Sequence, residues 1–180
     1  MTRKGRLLVT LVLLGLGGCV WEDEFGDPSV RTPLPVELTD REWRDPLQFG
    51  GAQRVLEIYD PGSGSWLSND ESDARAGSGF RFYEDGRYVR ASYVTVSNGG
   101  CVTRAWAYQQ GSVSFDAKTL TLYPAVHRQK YEGGCNSASD MDQDGSFEPQ
   151  SYAAGIQTEN DGYTYLYLQT SDTTLKYVRL

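Results

Sequence analysis

Positive charge is scarce in this sequence of 180 residues, in which 17 lysines and arginines face 24 aspartates and glutamates. The formal net charge is −7 at neutral pH. Binding to nucleic acid or to an anionic lipid surface requires clustered cations. The composition therefore argues against both kinds of surface, and we expect no nucleic-acid partner.

Familiar catalytic motifs are also missing. The sequence has no Gly-x-Ser-x-Gly motif to present a nucleophile. Its single histidine, His127, lies in a predicted strand without the ordered partners of a catalytic triad. We interpret His127 as a surface or pocket-rim residue and expect a protein that is not an enzyme. An enzyme of an unrecognised type is the alternative.

The apolar run near the N-terminus, Leu7–Leu14, is shorter than the about 20 residues that a helix needs to span a bilayer. It follows Arg3, Lys4 and Arg6, and it leads into Leu16-Gly17-Gly18-Cys19. This stretch resembles a bacterial lipoprotein signal peptide that ends in a lipobox. The resemblance implies that residues 1–18 are removed and that the thiol of Cys19 carries the lipid. An ordinary signal peptide, in which Cys19 has no special role, is the alternative.

The lipobox implies a location in the bacterial cell envelope. Acyl chains on Cys19 would anchor the protein stably in a membrane. By resemblance to enterobacterial sorting, Val20 in place of aspartate favours the outer membrane. Removing the signal peptide takes away three basic residues, so 14 basic residues would face 24 acidic ones and the net charge would be −10. Residues 19–50 are acidic and contain four prolines, which predicts a flexible tether.

Cysteine is rare, and two cysteines, Cys101 and Cys135, remain once Cys19 is lipidated. Thiols in an oxidising compartment tend to pair, so we predict a disulfide between them. It would close a loop of about 35 residues and contribute about 3–4 kcal/mol on the chain-entropy model. Reactive or metal-binding thiols are the alternative, although no Cys-x-x-Cys spacing or histidine cluster accompanies them.

Tyrosine and glycine are abundant, with 12 and 20 residues, and the pattern predicts strands and tight turns over residues 51–180. The clearest hairpin places Glu84-Asp85-Gly86 between two alternating segments. A second hairpin is predicted to end at Pro124. In the strand predicted from Val102 to Tyr108, Ala105 and Ala107 share a face, which indicates close packing or a cavity wall. We predict an all-β domain: an antiparallel meander of about eight to ten strands that closes into a barrel.

Three short segments resemble sequence motifs of small lipocalin-like or calycin-like bacterial lipoproteins. They are Gly79–Phe82, Asp85–Tyr88 and Thr119–Pro124. The resemblance covers residues 64–180 and implies a lipocalin-like barrel in a largely uncharacterised family. The lipobox, the cysteine pair and the antiparallel pattern together predict a membrane-anchored envelope lipoprotein that acts as a binding or structural module, with an envelope protein or a small apolar ligand as its partner. A lipocalin-like carrier of a small apolar ligand is the alternative.

One segment has the spacing of a metal site. Asp140, Asp142 and Asp144 would occupy the first, third and fifth positions of a calcium loop, and Glu148 the ninth. Ser151 at the twelfth position cannot supply the usual bidentate carboxylate. The segment is therefore predicted to be a partial calcium loop, with an ordinary acidic surface loop as the alternative.

Overall fold

The computed structural model describes residues 23–39, 41–46, 55–66 and 76–180. Within these ranges the chain is built almost entirely of strands. The strands are β1 Glu42–Arg44, β2 Tyr59–Asp60, β3 Ser65–Trp66, β4 Ala76–Phe82, β5 Arg87–Asn98, β6 Cys101–Asp116, β7 Thr119–Gly133, β8 Met141–Asp144, β9 Gln150–Thr158, β10 Thr164–Gln169 and β11 Thr174–Arg179. The short helical segments are the helix α1 Val36–Thr39 and the 3₁₀ turns Pro28–Val30, Val55–Glu57 and Ser137–Ser139. A helix able to cross a bilayer, in length and in apolar character, does not occur in these ranges.

Eight of these strands form a closed antiparallel barrel. Their order around the barrel is β6-β5-β4-β1-β11-β10-β9-β7, and β7 pairs back to β6. Closure leaves no long unpaired edge in the barrel wall. The predicted all-β fold with a lipocalin-like barrel is therefore confirmed. Strand β8 adds to the later part of β7, and β2 and β3 form a separate two-stranded hairpin.

The turn between β4 and β5 is the predicted hairpin turn. Gly86 has a positive φ of 78°, which glycine adopts without steric cost, and its N–H donates to the carbonyl of Tyr83 at 3.0 Å. The register pairs Phe82 with Tyr88 across the turn. The Asp-Gly signal was therefore sufficient to locate this hairpin.

The second predicted hairpin is wrong in one respect, because Pro124 does not end a strand. Strand β7 runs through it, and the ladder shifts register so that Gly111 pairs with Pro124 and Gln110 with Val126. Ala125 is the extra residue of a β-bulge. A proline is tolerated at a bulge because the ladder is already interrupted there. The segments before and after the bulge thus form single long strands in both β6 and β7.

The prediction of a flexible tether over residues 19–50 is also corrected. Strand β1 lies between β4 and β11 in the barrel wall, with Trp43 opposite Phe80 and Arg179. The Trp43 side chain is fully buried, and its indole N–H donates to the carbonyl of Leu38 at 2.8 Å. The described parts of residues 19–50 therefore pack on the barrel, and the domain begins before residue 51. Buried apolar side chains outweigh the acidic and proline-rich composition here.

Two hydrophobic clusters stabilise the domain on opposite faces of the sheet. The first fills the barrel and consists of Leu34, Leu38, Trp43, Phe80, Phe82, Tyr88, Val113, Leu120, Leu122, Tyr152, Leu166, Leu168 and Tyr177. The second lies outside, under the segment 55–66, and consists of Phe25, Val55, Leu56, Ile58, Tyr59, Val89, Ala91 and Tyr108. As a result, β5 carries apolar residues on both of its faces.

Candidate functional site

Strands β5, β6 and β7 continue beyond the filled part of the barrel. We call this part of the sheet the extension, and it begins after the cross-strand row of Arg90, Gln109 and His127. The row beyond pairs Ser92 with Ala107. Side chains alternate between the two faces of a strand, so these residues share the inner face with the barrel core.

The inner face of the extension forms a groove of about 380 Å³. The groove is lined by side chains of β4 to β8 that include Ala76, Ser92, Val94, Ala105, Ala107, Gln129, Tyr131 and Met141. Small side chains in its central strand leave the space, so Ala105 and Ala107 fit the second of the two predicted alternatives, a cavity wall. Val94 and Met141 are each 41% exposed, which is high for large apolar side chains. The groove is therefore an apolar surface in contact with solvent.

A polar pocket of about 240 Å³ adjoins the groove, with which it shares Ser92, Ala107 and Gln129. Its polar lining includes Arg90, Gln109, His127 and Gln150. These residues come from four different strands, β5, β6, β7 and β9. The pocket thus lies directly above the barrel core, between the core and the groove.

Arg90 is the cation of this pocket. Its guanidinium lies 5.1 Å from the centroid of the Phe80 ring, and Nη1 donates to Oε1 of Gln150 at 3.4 Å. Arg90 forms no ion pair with any carboxylate of the described residues. A half-buried positive charge therefore stands at the base of the groove without a neutralising partner in this part of the chain.

Gln109 supplies a second hydrogen-bonding group to the same pocket. The residue is only 3% exposed, and its Oε1 accepts a hydrogen bond from the Tyr88 hydroxyl at 2.8 Å. Burial raises the pKa of Tyr88 well above its ordinary value, so this hydroxyl stays protonated and donates. The amide nitrogen of Gln109 makes no hydrogen bond within the described residues. This donor is therefore accessible from the pocket, since Nε of Arg128 is the only fully buried side-chain nitrogen without a partner in the described chain.

His127 lies at the rim of the pocket and is held by the loop that follows β8. Its Nδ1 is 2.6 Å from the carbonyl oxygen of Ser146, and its Nε2 is 3.3 Å from Nε2 of Gln129. The carbonyl can only accept, so Nδ1 carries the proton. A Cβ at Gly145 would lie 2.4 Å from the imidazole ring, so a larger residue there would displace the His127 side chain. These contacts fix the orientation of the His127 ring at the rim of the pocket.

The predicted calcium loop has a different structure. Residues 141–144 form strand β8, and the carboxylates of Asp142 and Asp144 both bind the guanidinium of Arg128. Oδ1 of Asp140 accepts a hydrogen bond from the backbone N–H of Gly133 at 2.7 Å. Among the described residues, no three His, Cys, Asp or Glu side chains are grouped to hold a metal ion.

The calcium prediction is corrected accordingly. In an extended strand with a cation beside it, these carboxylates, together with Glu148, do not converge as a metal loop requires. Trp66 contributes as well, because its indole N–H donates to Oδ2 of Asp142 at 3.0 Å. The acidic side chains of β8 therefore fasten this strand to β7 and β3.

The predicted disulfide between Cys101 and Cys135 is present, with the two Cα atoms 5.3 Å apart. Cys101 begins β6 and Cys135 follows the end of β7, so the bond joins the two strands at the far tip of the extension. It ties the ends that lie furthest from the barrel core. Cys19, the other predicted site residue, and the predicted signal peptide lie outside the described residues.

No protein-family profile, curated protein or solved structure matched this chain. The fold alone does not indicate an activity, because barrels of this kind serve many unrelated functions. Function must therefore be argued from the groove and the polar pocket.

The sequence reasoning did not identify Arg90, Gln109 or Gln150 as site residues. A signal was available in β5, where Arg90 shares a face with Tyr88 and Ser92. The neighbouring positions Val89 and Ala91 are also apolar, so alternation alone did not reveal which face points into the barrel.

Proposed function

We propose that this chain is a lipid-anchored protein of the bacterial cell envelope, held in the outer membrane through Cys19, whose barrel is a non-enzymatic binding module. In this proposal, a small ligand with an apolar part binds in the groove on the inner face of the extension. The observation that carries the proposal is the contrast between a filled barrel and an open apolar groove directly beyond it.

The filled barrel favours the groove over the barrel centre as the place for a ligand. Trp43, Phe80, Phe82 and Tyr88 are each at most 1% exposed and occupy the middle of the barrel. A carrier with a hollow interior would need that space, and interiors packed in this way have few voids larger than a water molecule. The groove, in contrast, has a volume in the range typical of ligand sites.

The cellular location is supported by the sequence and by the disulfide. Leu16-Gly17-Gly18-Cys19 follows a charged and then an apolar segment, as in lipoprotein signal peptides. The disulfide between Cys101 and Cys135 fits an oxidising compartment such as the periplasm or the cell surface. A non-enzymatic role is supported by His127, whose two ring nitrogens face a backbone carbonyl and an amide nitrogen rather than a nucleophile.

Anchoring is tested by growing bacteria that express the chain with radiolabelled palmitate. We expect label in the wild-type protein and in a Cys135→Ala variant, which keeps Cys19. The Cys19→Ala variant should carry no label. Equal labelling of Cys19→Ala and wild type, or no labelling of either, would contradict the anchoring.

Binding in the groove is tested with the neutral apolar dye N-phenyl-1-naphthylamine, whose fluorescence rises when it leaves water. The dye should bind the wild-type protein, and Ala107→Trp should abolish binding by filling the groove. Thr121→Trp is the matched control, because it adds the same bulk to the outer face of β7. Absence of dye binding to the wild type, or undiminished binding to Ala107→Trp, would overturn the groove as the binding site.

A further inference from the structure

We propose that the polar pocket is a carboxylate-binding site, so that the ligand is an amphiphile with its carboxylate at Arg90 and its apolar body along the groove. This inference rests on the proposed function and adds to it the chemical class of the ligand. It is carried by the juxtaposition, at the base of an apolar surface, of a cation without an ion-pair partner and an amide donor without a hydrogen bond in the described chain.

The charge of Arg90 is the first part of the argument. Other basic residues of the described sheet have acidic partners, as Arg104 has Glu132 at 3.6 Å and Lys130 has Glu132 at 2.8 Å. Arg90 instead contacts the neutral Gln150 amide and the face of Phe80. A guanidinium that is half withdrawn from water and lacks a carboxylate gains most from an anionic ligand.

The second part is the hydrogen-bonding capacity around that charge. Gln109 is buried, and its amide nitrogen is free to donate into the pocket. Oε1 of Gln150 accepts from both Arg90 and the Tyr152 hydroxyl, so its amide nitrogen is the part of the side chain that can face a ligand. The polar lining of the pocket contains no Asp or Glu side chain. Donors without acidic groups are suited to the two oxygens of a carboxylate.

The third part is the direction in which the ligand would extend. The polar pocket and the groove share Ser92, Ala107 and Gln129, so they form one continuous surface. The core residues below Arg90 are tightly packed, which closes the path into the barrel. A ligand anchored at Arg90 can therefore place its apolar body only along the groove, toward Ala105, Val94 and Met141.

The test uses a pair of probes that differ in the head group alone. Octanoate and octanol are titrated into the purified full-length protein by isothermal calorimetry. Octanoate should bind about tenfold or more tightly than octanol, because the carboxylate can form a charge-assisted hydrogen bond with the Arg90 guanidinium and the hydroxyl cannot. Arg90→Gln should remove this preference, so that octanoate and octanol bind with equal affinity.

Two further variants keep the test decisive. Arg90→Lys retains the positive charge and should keep a preference for octanoate, which serves if Arg90→Gln folds poorly. Arg104→Gln removes the same charge from the outer face of β6 and should bind both probes as the wild type does. Equal affinity for octanoate and octanol in the wild type, or an octanoate preference that survives in folded Arg90→Gln, would overturn the carboxylate site.

These outcomes are distinct from failure of the proposed function. If N-phenyl-1-naphthylamine binds in the groove while octanoate shows no advantage over octanol, the carboxylate site is wrong and the apolar groove stands. If the dye does not bind, the proposal that the groove binds a ligand is wrong.

Discussion

Replacing Gly111 by alanine should be severely destabilising, because the backbone of the neighbouring strand leaves no room for a Cβ atom at this position. A Cβ at Gly111 would lie 2.0 Å from the carbonyl oxygen of Tyr123, 2.9 Å from its carbonyl carbon and 3.0 Å from the nitrogen of Ala125. All three atoms belong to the backbone of β7 at the bulge. They cannot rotate away as the end of a side chain could.

The expected cost follows from the displacement that the methyl group demands. Favourable non-bonded contacts lie at about 3.5 Å, so β6 and β7 would have to separate locally by roughly 1 Å or more. Overpacking of a tight site costs about 1–3 kcal/mol, and each ladder hydrogen bond lost on either side adds about 1 kcal/mol. We therefore expect Gly111→Ala to lower the free energy of unfolding by about 2–4 kcal/mol.

The matched control is Gly155→Ala, which lies within β9. A Cβ at Gly155 meets nothing within 4 Å, and the residue has no positive φ. This variant should be neutral or stabilised by up to about 1 kcal/mol, through reduced entropy of the unfolded chain. Urea unfolding followed by circular dichroism measures both. If the two variants differed by less than about 0.5 kcal/mol, the close approach at the bulge would be refuted.

Two other perturbations test the N-terminal part of the described chain. Trp43→Ala should cost about 3–5 kcal/mol in urea unfolding, since a fully buried tryptophan is lost from the barrel core, whereas a change near zero would restore the tether interpretation. The Arg31 guanidinium lies 2.9 Å from the Asp23 carboxylate and lowers the pKa of Asp23 below its ordinary value of 3.8. The ion pair therefore stabilises the fold at pH values above 3.8. This stabilisation is lost as the pH falls through the lower pKa of the folded state. Asp23→Asn should therefore be less stable than wild type at pH 6, and the difference should shrink as the pH is lowered below that ordinary value; a gap that does not change with pH would show that the pair contributes nothing.

Local signals in the sequence were enough to predict the barrel. Alternating apolar residues and the Asp85-Gly86 turn determine strand and hairpin positions within a few residues of chain. Antiparallel strands that follow one another by short turns then have few ways to avoid open edges. The disulfide was predictable because the predicted lipidation of Cys19 leaves two of the three cysteines, which have one possible pairing.

The N-terminal segment could not be assigned in this way, because its stability comes from residues distant in sequence. Trp43 is buried by β4 and β11, and Arg31 donates a hydrogen bond to Ser112. The prolines and acidic residues of this segment dominate its composition, yet Phe25, Leu34 and Leu38 within it are buried. Composition averaged over a segment conceals such isolated anchors.

The prediction of a calcium loop failed for the opposite reason. It relied on the local spacing of the aspartates, whereas their structure depends on a residue that is distant in sequence. The spacing of the aspartates is compatible with a metal loop, but Arg128 on β7 lies beside them and draws two of them into a strand pairing. A motif defined by spacing contains no information about which cation is nearest in the fold.

Gly111 lies on β6 between the residues of the groove and those of the barrel core. On the inner face of β6, Ala105 and Ala107 precede the bulge, whereas Val113 and Phe115 follow it. Gly111 lies between these two pairs of side chains, opposite the bulge in β7. If Gly111→Ala forces the strands apart, it should disturb the polar pocket, two residues away at Gln109, as well as the core. A folded Gly111→Ala variant is therefore expected to lose dye binding at urea concentrations where the Gly155→Ala variant still binds, because the bulge separates the core from the site and supports both.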